Sequence, residues 1–186
     1  MSEPLVGAGP AGAVEFGPNG RRLLFVCKVL AILGGLVFVA LVIMSIVSIV
    51  GRKVASAPLP GDVELLQLCS AFAAASFFAY CHLAGGDVKV DFFTHNLRPS
   101  IVHTLDAIGS LLVGLFGALI AWRSFAGAMT VKDAGETTMI LALPLWAGQM
   151  LMVPGFVLLA VAGLYMSVQH LRAARRDPLA PDEAHS

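Results

Sequence analysis

The chain has 186 residues, of which 58% are hydrophobic and 13% are charged, and its mean hydropathy is +0.84. Soluble domains carry about 25% charged residues, and a chain of this composition folded in water would expose more apolar surface than a monomer tolerates. The formal net charge is zero, which excludes the basic field that attracts nucleic acid. The composition therefore predicts an integral membrane protein that contacts the lipid bilayer and binds no nucleic acid.

Four apolar stretches are long enough to cross the hydrocarbon core, which takes roughly 20 residues of helix. The first runs without a charge from Val29 to Val50, the second from Leu65 to Ala84, and the third from just after Asp106 to Trp122. The fourth extends from Thr137 to Gln169. We therefore predict an all-α, polytopic membrane protein with a four-helix transmembrane domain over residues 21–172. Residues 1–20 and 173–186 are predicted to be disordered cytoplasmic tails.

The fourth stretch is too long for one simple crossing. It contains Pro144 and Pro154, and proline marks helix starts or breaks because it lacks a backbone donor. We predict that residues Thr137 to Leu145 form a short interfacial segment and that the fourth helix follows, reaching about Val168.

Basic residues are distributed unequally between the two predicted sides of the membrane. One side holds eight of them, at positions 21, 22, 28, 89, 98, 172, 175 and 176. The other side holds four, at positions 52, 53, 123 and 132. Because cytoplasmic loops carry the excess of Lys and Arg, both termini are predicted to be cytoplasmic.

Chemistry-bearing residues are sparse within the predicted spans. No charged residue lies near the centre of any span, where proton relays and ion pathways place such residues. We expect no catalytic residue, no cofactor and no bound metal. Two alternatives stay open: His82 and His103 could face each other and hold haem, with His95 nearby, or His82, Asp87, Asp91 and His95 could ligate a metal around a short loop.

Small residues recur every four positions on three of the spans. These are Ala71, Ala75 and Ala79 on the second, Ser110, Gly114 and Ala118 on the third, and Gly163 and Ser167 on the fourth. In lipid, small residues at this spacing let helices approach closely. Each stripe indicates either packing within the chain or a face for a partner subunit.

Several short motifs occur in a characteristic order around these spans. They are Gly51-Arg52 and Pro58 to Leu65 between the first two spans, Gly86 to Asp91 after the second, and Glu136 to Thr138, Leu143 to Trp146 and Val153 to Phe156 around the start of the fourth. From about residue 22 to residue 172, this order resembles the small membrane subunit, often called DctQ-type, of tripartite ATP-independent periplasmic (TRAP) transporters. Asp87 departs from the family pattern, which commonly has histidine there.

The resemblance implies a division of labour among three proteins. A large multi-span membrane subunit would carry the substrate and sodium sites, and a periplasmic substrate-binding protein would deliver an organic acid. This chain would be a non-enzymatic scaffold for the large subunit in the bacterial inner membrane. Two other readings of the sequence are a haem- or quinone-associated membrane anchor of a respiratory enzyme and a free-standing small transporter or channel.

The family motifs also suggest roles for individual residues. Arg52 and Glu64 bracket the first periplasmic loop and would pair with each other or with the large subunit. Lys89 and Asp91 would fix the cytoplasmic turn after the second span or contact the partner.

Pro144 and Trp146 would anchor the start of the fourth span at the membrane interface, where Trp is favoured. For all the residues given roles here, the alternative is that they set topology within this one chain.

Overall fold

A computed structural model describes residues 18–55, 60–86 and 99–176. These residues form four α-helices: α1 (Pro18–Ala55), α2 (Asp62–Leu83), α3 (Pro99–Ala134) and α4 (Leu145–Arg176). Each is long and apolar enough to cross a membrane. The predicted all-α architecture with four membrane-spanning helices is confirmed to that extent.

All four helices extend beyond the apolar stretches that predicted them, α2 by starting at Asp62 rather than at Leu65. α3 continues past Trp122 to Ala134, so Arg123 and Lys132 lie on the helix itself. At 1.5 Å per residue, its 36 residues span about 54 Å, well above the roughly 30 Å of the hydrocarbon core. α1 begins at Pro18 and α4 continues to Arg176. Residues 18–20 and 173–176, which were predicted to belong to the disordered tails, are therefore helical. The remaining tail residues, 1–17 and 177–186, lie outside the described residues.

Close contacts fix the relative directions of α1 and α2. The backbone at Gly34 lies against Ser76, and further along α1 the hydroxyl of Ser48 reaches Asp62 at the start of α2. As the residue number rises on α1 it falls on α2, so the two helices are antiparallel.

Close contacts fix the relative directions of the other two helix pairs in the same way. Gly114 of α3 touches Gly163 of α4, and His103 lies beside His170, so α3 and α4 are antiparallel. Leu68 and Ala75 of α2 meet Gly148 and Gly155 of α4, respectively. Residue numbers rise together along this last pair, which makes α2 and α4 parallel.

The helices form an open row rather than a closed bundle. α4 packs against α3 on one side and α2 on the other, and α1 packs on α2 with a small contact to α4. Within the described residues, α3 contacts neither α1 nor α2. The row therefore runs α1, α2, α4, α3, and no described element covers either of its two broad faces.

These directions give the row two distinct ends. The end of α1, the start of α2, the end of α3 and the start of α4 share one end, called here the Glu64 end. The start of α1, the end of α2, the start of α3 and the end of α4 share the other, called here the His170 end.

Small residues occupy the helix contacts. A Cβ atom added to Gly163 would lie 2.5 Å from the Cα of Gly114, and one added to Gly155 would lie 2.7 Å from the carbonyl oxygen of Ala75. Both distances are too short for any side chain, so the backbones themselves touch. The small-residue stripes on these helices are thus used for packing within the chain, although Ala118 is exposed.

Large apolar side chains point away from the row. On α1 and α3 the exposed set includes Phe25, Leu36, Ile49, Phe116, Leu119 and Trp122. Monomeric proteins in water rarely carry contiguous apolar surface of this extent. These faces are suited to lipid or to another apolar protein surface.

Candidate functional site at the Glu64 end

At the Glu64 end, the side chain of Glu64 joins α2 to the connection between α3 and α4. It lies in the first turn of α2, and its carboxylate oxygens accept hydrogen bonds from two backbone N–H groups across the row. Ile140 donates to Oε1 at 2.8 Å and Leu141 donates to Oε2 at 2.9 Å. Hydrogen bonds to an ionised acceptor are stronger than neutral ones. We call this interaction the Glu64 contact.

The partner in this contact is the connection between α3 and α4, residues 135–144, called here the α3–α4 turn. Thr137 and Pro144 lie opposite each other in an antiparallel bridge. The N–H of Thr138 donates to the carbonyl of Leu143 at 2.8 Å, and the N–H of Leu143 returns a bond to the Thr138 hydroxyl at 3.0 Å. The turn is therefore a narrow, internally bonded hairpin and not a loose linker.

The tip of the α3–α4 turn is apolar. Met139 is fully exposed and Ile140 is largely so. Leu141 bends back over Gly61, where an added Cβ would lie 2.4 Å from the Leu141 Cγ. Gly61 also has φ +79°, a region that glycine enters at no steric cost. Glycine at this position thus lets the start of α2 lie directly under the turn.

Asp62 links α2 to α1 at the same end. Its Oδ2 accepts a hydrogen bond from the hydroxyl of Ser48, which is buried on α1. The Nη2 of Arg52 lies 3.7 Å from the same carboxylate oxygen, and the Arg52 side chain is 62% exposed. Arg52 therefore pairs with Asp62, and Glu64 bonds to the α3–α4 turn, instead of the two pairing with each other.

Helix geometry explains why two nearby acids serve different neighbours. Asp62 and Glu64 are two positions apart, and residues at that spacing do not share a helix face. One carboxylate consequently faces α1 and the other faces the turn beside α4. Sequence reasoning missed Asp62 and Ser48; the available signal was a second acid in the first turn of α2.

Two further residues that were given roles in the sequence analysis, Pro144 and Trp146, lie at the start of α4. Pro144 is exposed and immediately precedes α4, where its carbonyl accepts a hydrogen bond from the N–H of Ala147 at 3.1 Å. Trp146 is half-buried, with the Nζ of Lys132 5.5 Å from its ring centroid, within range of a cation–π interaction. This contact joins the end of α3 to the start of α4.

Four residues of the connection between α2 and α3 that entered the sequence predictions lie outside the described residues. They are Asp87, Lys89, Asp91 and His95. The proposed roles of Lys89 and Asp91, and the loop metal site, stay predictions.

A cavity of about 180 Å³ lies beneath the turn, between α2 and α4. Glu64, Gln67, Thr138 and Gln149 contribute its polar lining. The Oε1 atom of Gln149 is buried and accepts no hydrogen bond from the described residues. Buried acceptors normally find a donor, so this cavity is suited to a water molecule or a polar group of a partner.

Comparison with known families identifies the chain. Residues 41–173 match the family model of the tripartite ATP-independent periplasmic transporters, DctQ component. This match covers more than half of the chain and includes every described residue of the Glu64 end. Searches of curated proteins and of solved structures give no match. The resemblance seen in the sequence motifs is confirmed, and the chain belongs to the DctQ family, the small membrane component of TRAP transporters.

Proposed function

We propose that this chain is a scaffold for the large membrane subunit of a TRAP transporter in the bacterial inner membrane. In this role it supports sodium-driven uptake of an organic acid that a periplasmic substrate-binding protein delivers. The chain supplies no substrate site of its own; it enlarges and steadies the membrane-embedded part of the large subunit.

The open row of helices is the observation that carries this proposal. A row with two uncovered faces offers far more apolar surface than a closed bundle of the same helices. In lipid, helices associate through close packing rather than through a hydrophobic force, and a broad, sparsely polar face provides area for such packing. The absence of charge near the span centres fits a supporting role better than a transport pathway.

The distribution of basic residues supports one orientation in the membrane. Eight of the twelve basic residues belong to the His170 end and its connections, and because cytoplasmic segments carry the excess of Lys and Arg, we propose that this end is cytoplasmic. The Glu64 end then faces the periplasm, and the exposed tip of the α3–α4 turn lies where the binding protein docks or where the membrane interface begins.

The candidate residues divide between two roles in this proposal. Glu64, Pro144 and Trp146 hold the α3–α4 turn in a fixed position at the periplasmic surface. Arg52 is largely exposed and is available to the large subunit in addition to Asp62. Lys89 and Asp91 belong to the cytoplasmic connection and are proposed to contact the partner there.

Co-purification and reconstitution test the proposal together. The tagged chain is extracted from its native membrane in mild detergent, and the proteins recovered with it are identified by mass spectrometry. Uptake is then measured in proteoliposomes with a sodium gradient and the binding protein, using the complex, the large subunit alone and this chain alone. We expect one large hydrophobic partner, and uptake only when both membrane subunits are present.

Other outcomes would select other functions. Recovery of soluble redox subunits, or haem absorbance in the purified protein, would replace the scaffold with a respiratory membrane anchor. Uptake by this chain alone would identify a free-standing transporter. Full uptake by the large subunit alone would remove the need for a scaffold.

A further inference from the structure

Three potential metal ligands meet at the His170 end, away from the site described above. They are His103 and Asp106 at the start of α3 and His170 near the end of α4, and their ligand atoms all lie within 4.8 Å of one another. The rings of His103 and His170 have centroids 6.1 Å apart. His82, which the sequence paired with His103, lies on α2, a helix that does not pack against α3 in the described part of the chain.

Helix geometry brings these three side chains together. His103 and Asp106 are three positions apart on α3, so they share one face. That face meets the antiparallel α4 at His170, whose exposed fraction is 5%. The cluster thus spans the contact between two helices and has its ligands on both.

A buried nitrogen in the cluster points to a ligand. Nδ1 of His103 is buried and makes no hydrogen bond to any described residue. Burying a polar atom without a partner is costly, and an unobserved water or ion is one explanation of such an atom in a native structure. A neutral imidazole nitrogen carries a lone pair and is the commonest metal ligand in proteins.

The donor set defines the class of metal. Two imidazole nitrogens and one carboxylate oxygen suit Zn²⁺ and similar divalent transition cations, with the fourth position left for water. In a tetrahedral site with bonds of about 2.0–2.1 Å, ligand atoms lie about 3.4 Å apart. The cluster needs to contract by at most about 1.4 Å to reach that geometry, and side-chain torsions alone can supply this.

We propose that His103, Asp106 and His170 bind a divalent transition-metal ion of the Zn²⁺ type, which links α3 to α4 at the cytoplasmic end of the row. α3 lies at one edge of the row, and α4 is its neighbour. The ion fastens that pair at the end opposite to the α3–α4 turn. This role is structural and is independent of the transport function proposed above.

Metal binding to the full-length chain tests the site directly. The chain carries an affinity tag without histidine, is purified in detergent, is stripped with EDTA and is titrated with Zn²⁺ by calorimetry. Co²⁺ provides a second probe, because its visible absorption reports four-coordinate binding. We expect one Zn²⁺ per chain, a Co²⁺ spectrum typical of a tetrahedral N/O site, and a higher melting temperature with Zn²⁺ than with EDTA.

Variants locate the ion. His103→Gln and His170→Gln should each lower the Zn²⁺ affinity at least tenfold and abolish the melting-temperature rise. His82→Gln and Cys81→Ser, which change two other potential ligands at the same end, should leave both unchanged. If a histidine variant does not fold by size-exclusion chromatography, the milder Asp106→Asn takes its place and should change the Co²⁺ spectrum.

Two results would overturn the proposal. One is the absence of saturable Zn²⁺ and Co²⁺ binding by the folded wild-type chain, which would make the cluster a hydrogen-bonded tie between helices. The other is unchanged binding in the folded His103, His170 or Asp106 variants, which would assign the ion to a different place.

Discussion

The α3–α4 pair and the α1–α2 pair are both antiparallel, yet they are held together differently. α3 and α4 touch backbone to backbone through Gly114 and Gly163, and their contact extends along most of both helices. α1 meets α2 at Gly34 and at the polar link between Ser48 and Asp62. In its most apolar window, 11% of α1 is buried, against 39% of α4.

Hydrophobicity and burial do not rise together in these helices. α1 is the more hydrophobic of the two helices, but it is the less buried. Lipid is as apolar as a leucine side chain, so hydrophobicity does not draw a helix into the protein; small residues that allow close approach do. The α3–α4 pair is therefore the more closely packed half of the chain, and α1 keeps most of its surface for its surroundings.

The largest expected effect comes from filling the α3–α4 contact. Gly163→Ala places a Cβ 2.5 Å from the Cα of Gly114, and the backbones must separate. Overpacking of this kind costs about 1–3 kcal/mol or more. We expect a clear fall in melting temperature in detergent and reduced recovery of the complex with the large subunit.

Gly109→Ala is the matched control for that substitution. An added Cβ at Gly109 meets nothing within 4 Å, and alanine is favoured over glycine inside a helix by about 1 kcal/mol. The control should be neutral or slightly stabilising. Equal changes in melting temperature for Gly163→Ala and Gly109→Ala would show that the close approach of Gly163 to Gly114 does not stabilise the α3–α4 contact.

A smaller effect is expected at the α1–α2 contact. Gly34→Ala places a Cβ 2.8 Å from the Cβ of Ser76. Since α1 is bound mainly along one face, it can move outward, and we expect a loss of about 1 kcal/mol, at the low end for overpacking. Gly35→Ala, whose nearest neighbour is the Phe77 ring at 3.9 Å, should leave the melting temperature unchanged or raise it slightly, as at Gly109. A loss at Gly34 as large as at Gly163 would contradict the comparison.

A local effect is expected at the α3–α4 turn. Glu64→Gln removes the charge that receives the N–H groups of Ile140 and Leu141, so both amides should open more often. Hydrogen–deuterium exchange should rise by about an order of magnitude at these two residues and little elsewhere. Glu136→Gln changes an exposed acid on the same turn and should leave exchange as in wild type. Unchanged exchange in Glu64→Gln would show that the turn holds its shape alone.

The smallest effect is expected for Arg52. Its pair with Asp62 is solvent-exposed on the arginine side, and exposed ion pairs contribute little at physiological salt. Arg52→Gln should melt within error of wild type, as should Lys53→Gln beside it. A lower melting temperature for Arg52→Gln but not for Lys53→Gln, with a larger decrease at low salt, would indicate that the Arg52–Asp62 ion pair is better shielded from solvent than the exposure of Arg52 implies.

The number of membrane-spanning helices and the protein family could be predicted from the sequence. Apolar length is a local property, so four spans follow from counting, and Pro144 marks the start of α4 because proline acts locally as well. α3 was predicted too short because Arg123 and Lys132 ended the apolar run without ending the helix.

The contacts between elements were less predictable. The sequence left open whether Arg52 pairs with Glu64 or with the large subunit, and the structure gives it a different neighbour, Asp62, which faces α1. The haem alternative placed His82 and His103 face to face, but within the described residues α4 rather than α2 packs against α3. Such contacts do not follow from sequence order, because helices that are consecutive in the chain are not always neighbours in the row α1, α2, α4, α3.

The Glu64 contact also imposes an order on biogenesis. Glu64 reaches the membrane with α2, but its first partner amide lies 76 residues later in the chain. At about 5–20 residues per second, the ribosome needs about 4–15 seconds to make that stretch. During this interval the α3–α4 turn does not yet exist, so α2 inserts without the Glu64 contact. Formation of the contact is therefore a late assembly step, possible only after the α3–α4 turn has been synthesised.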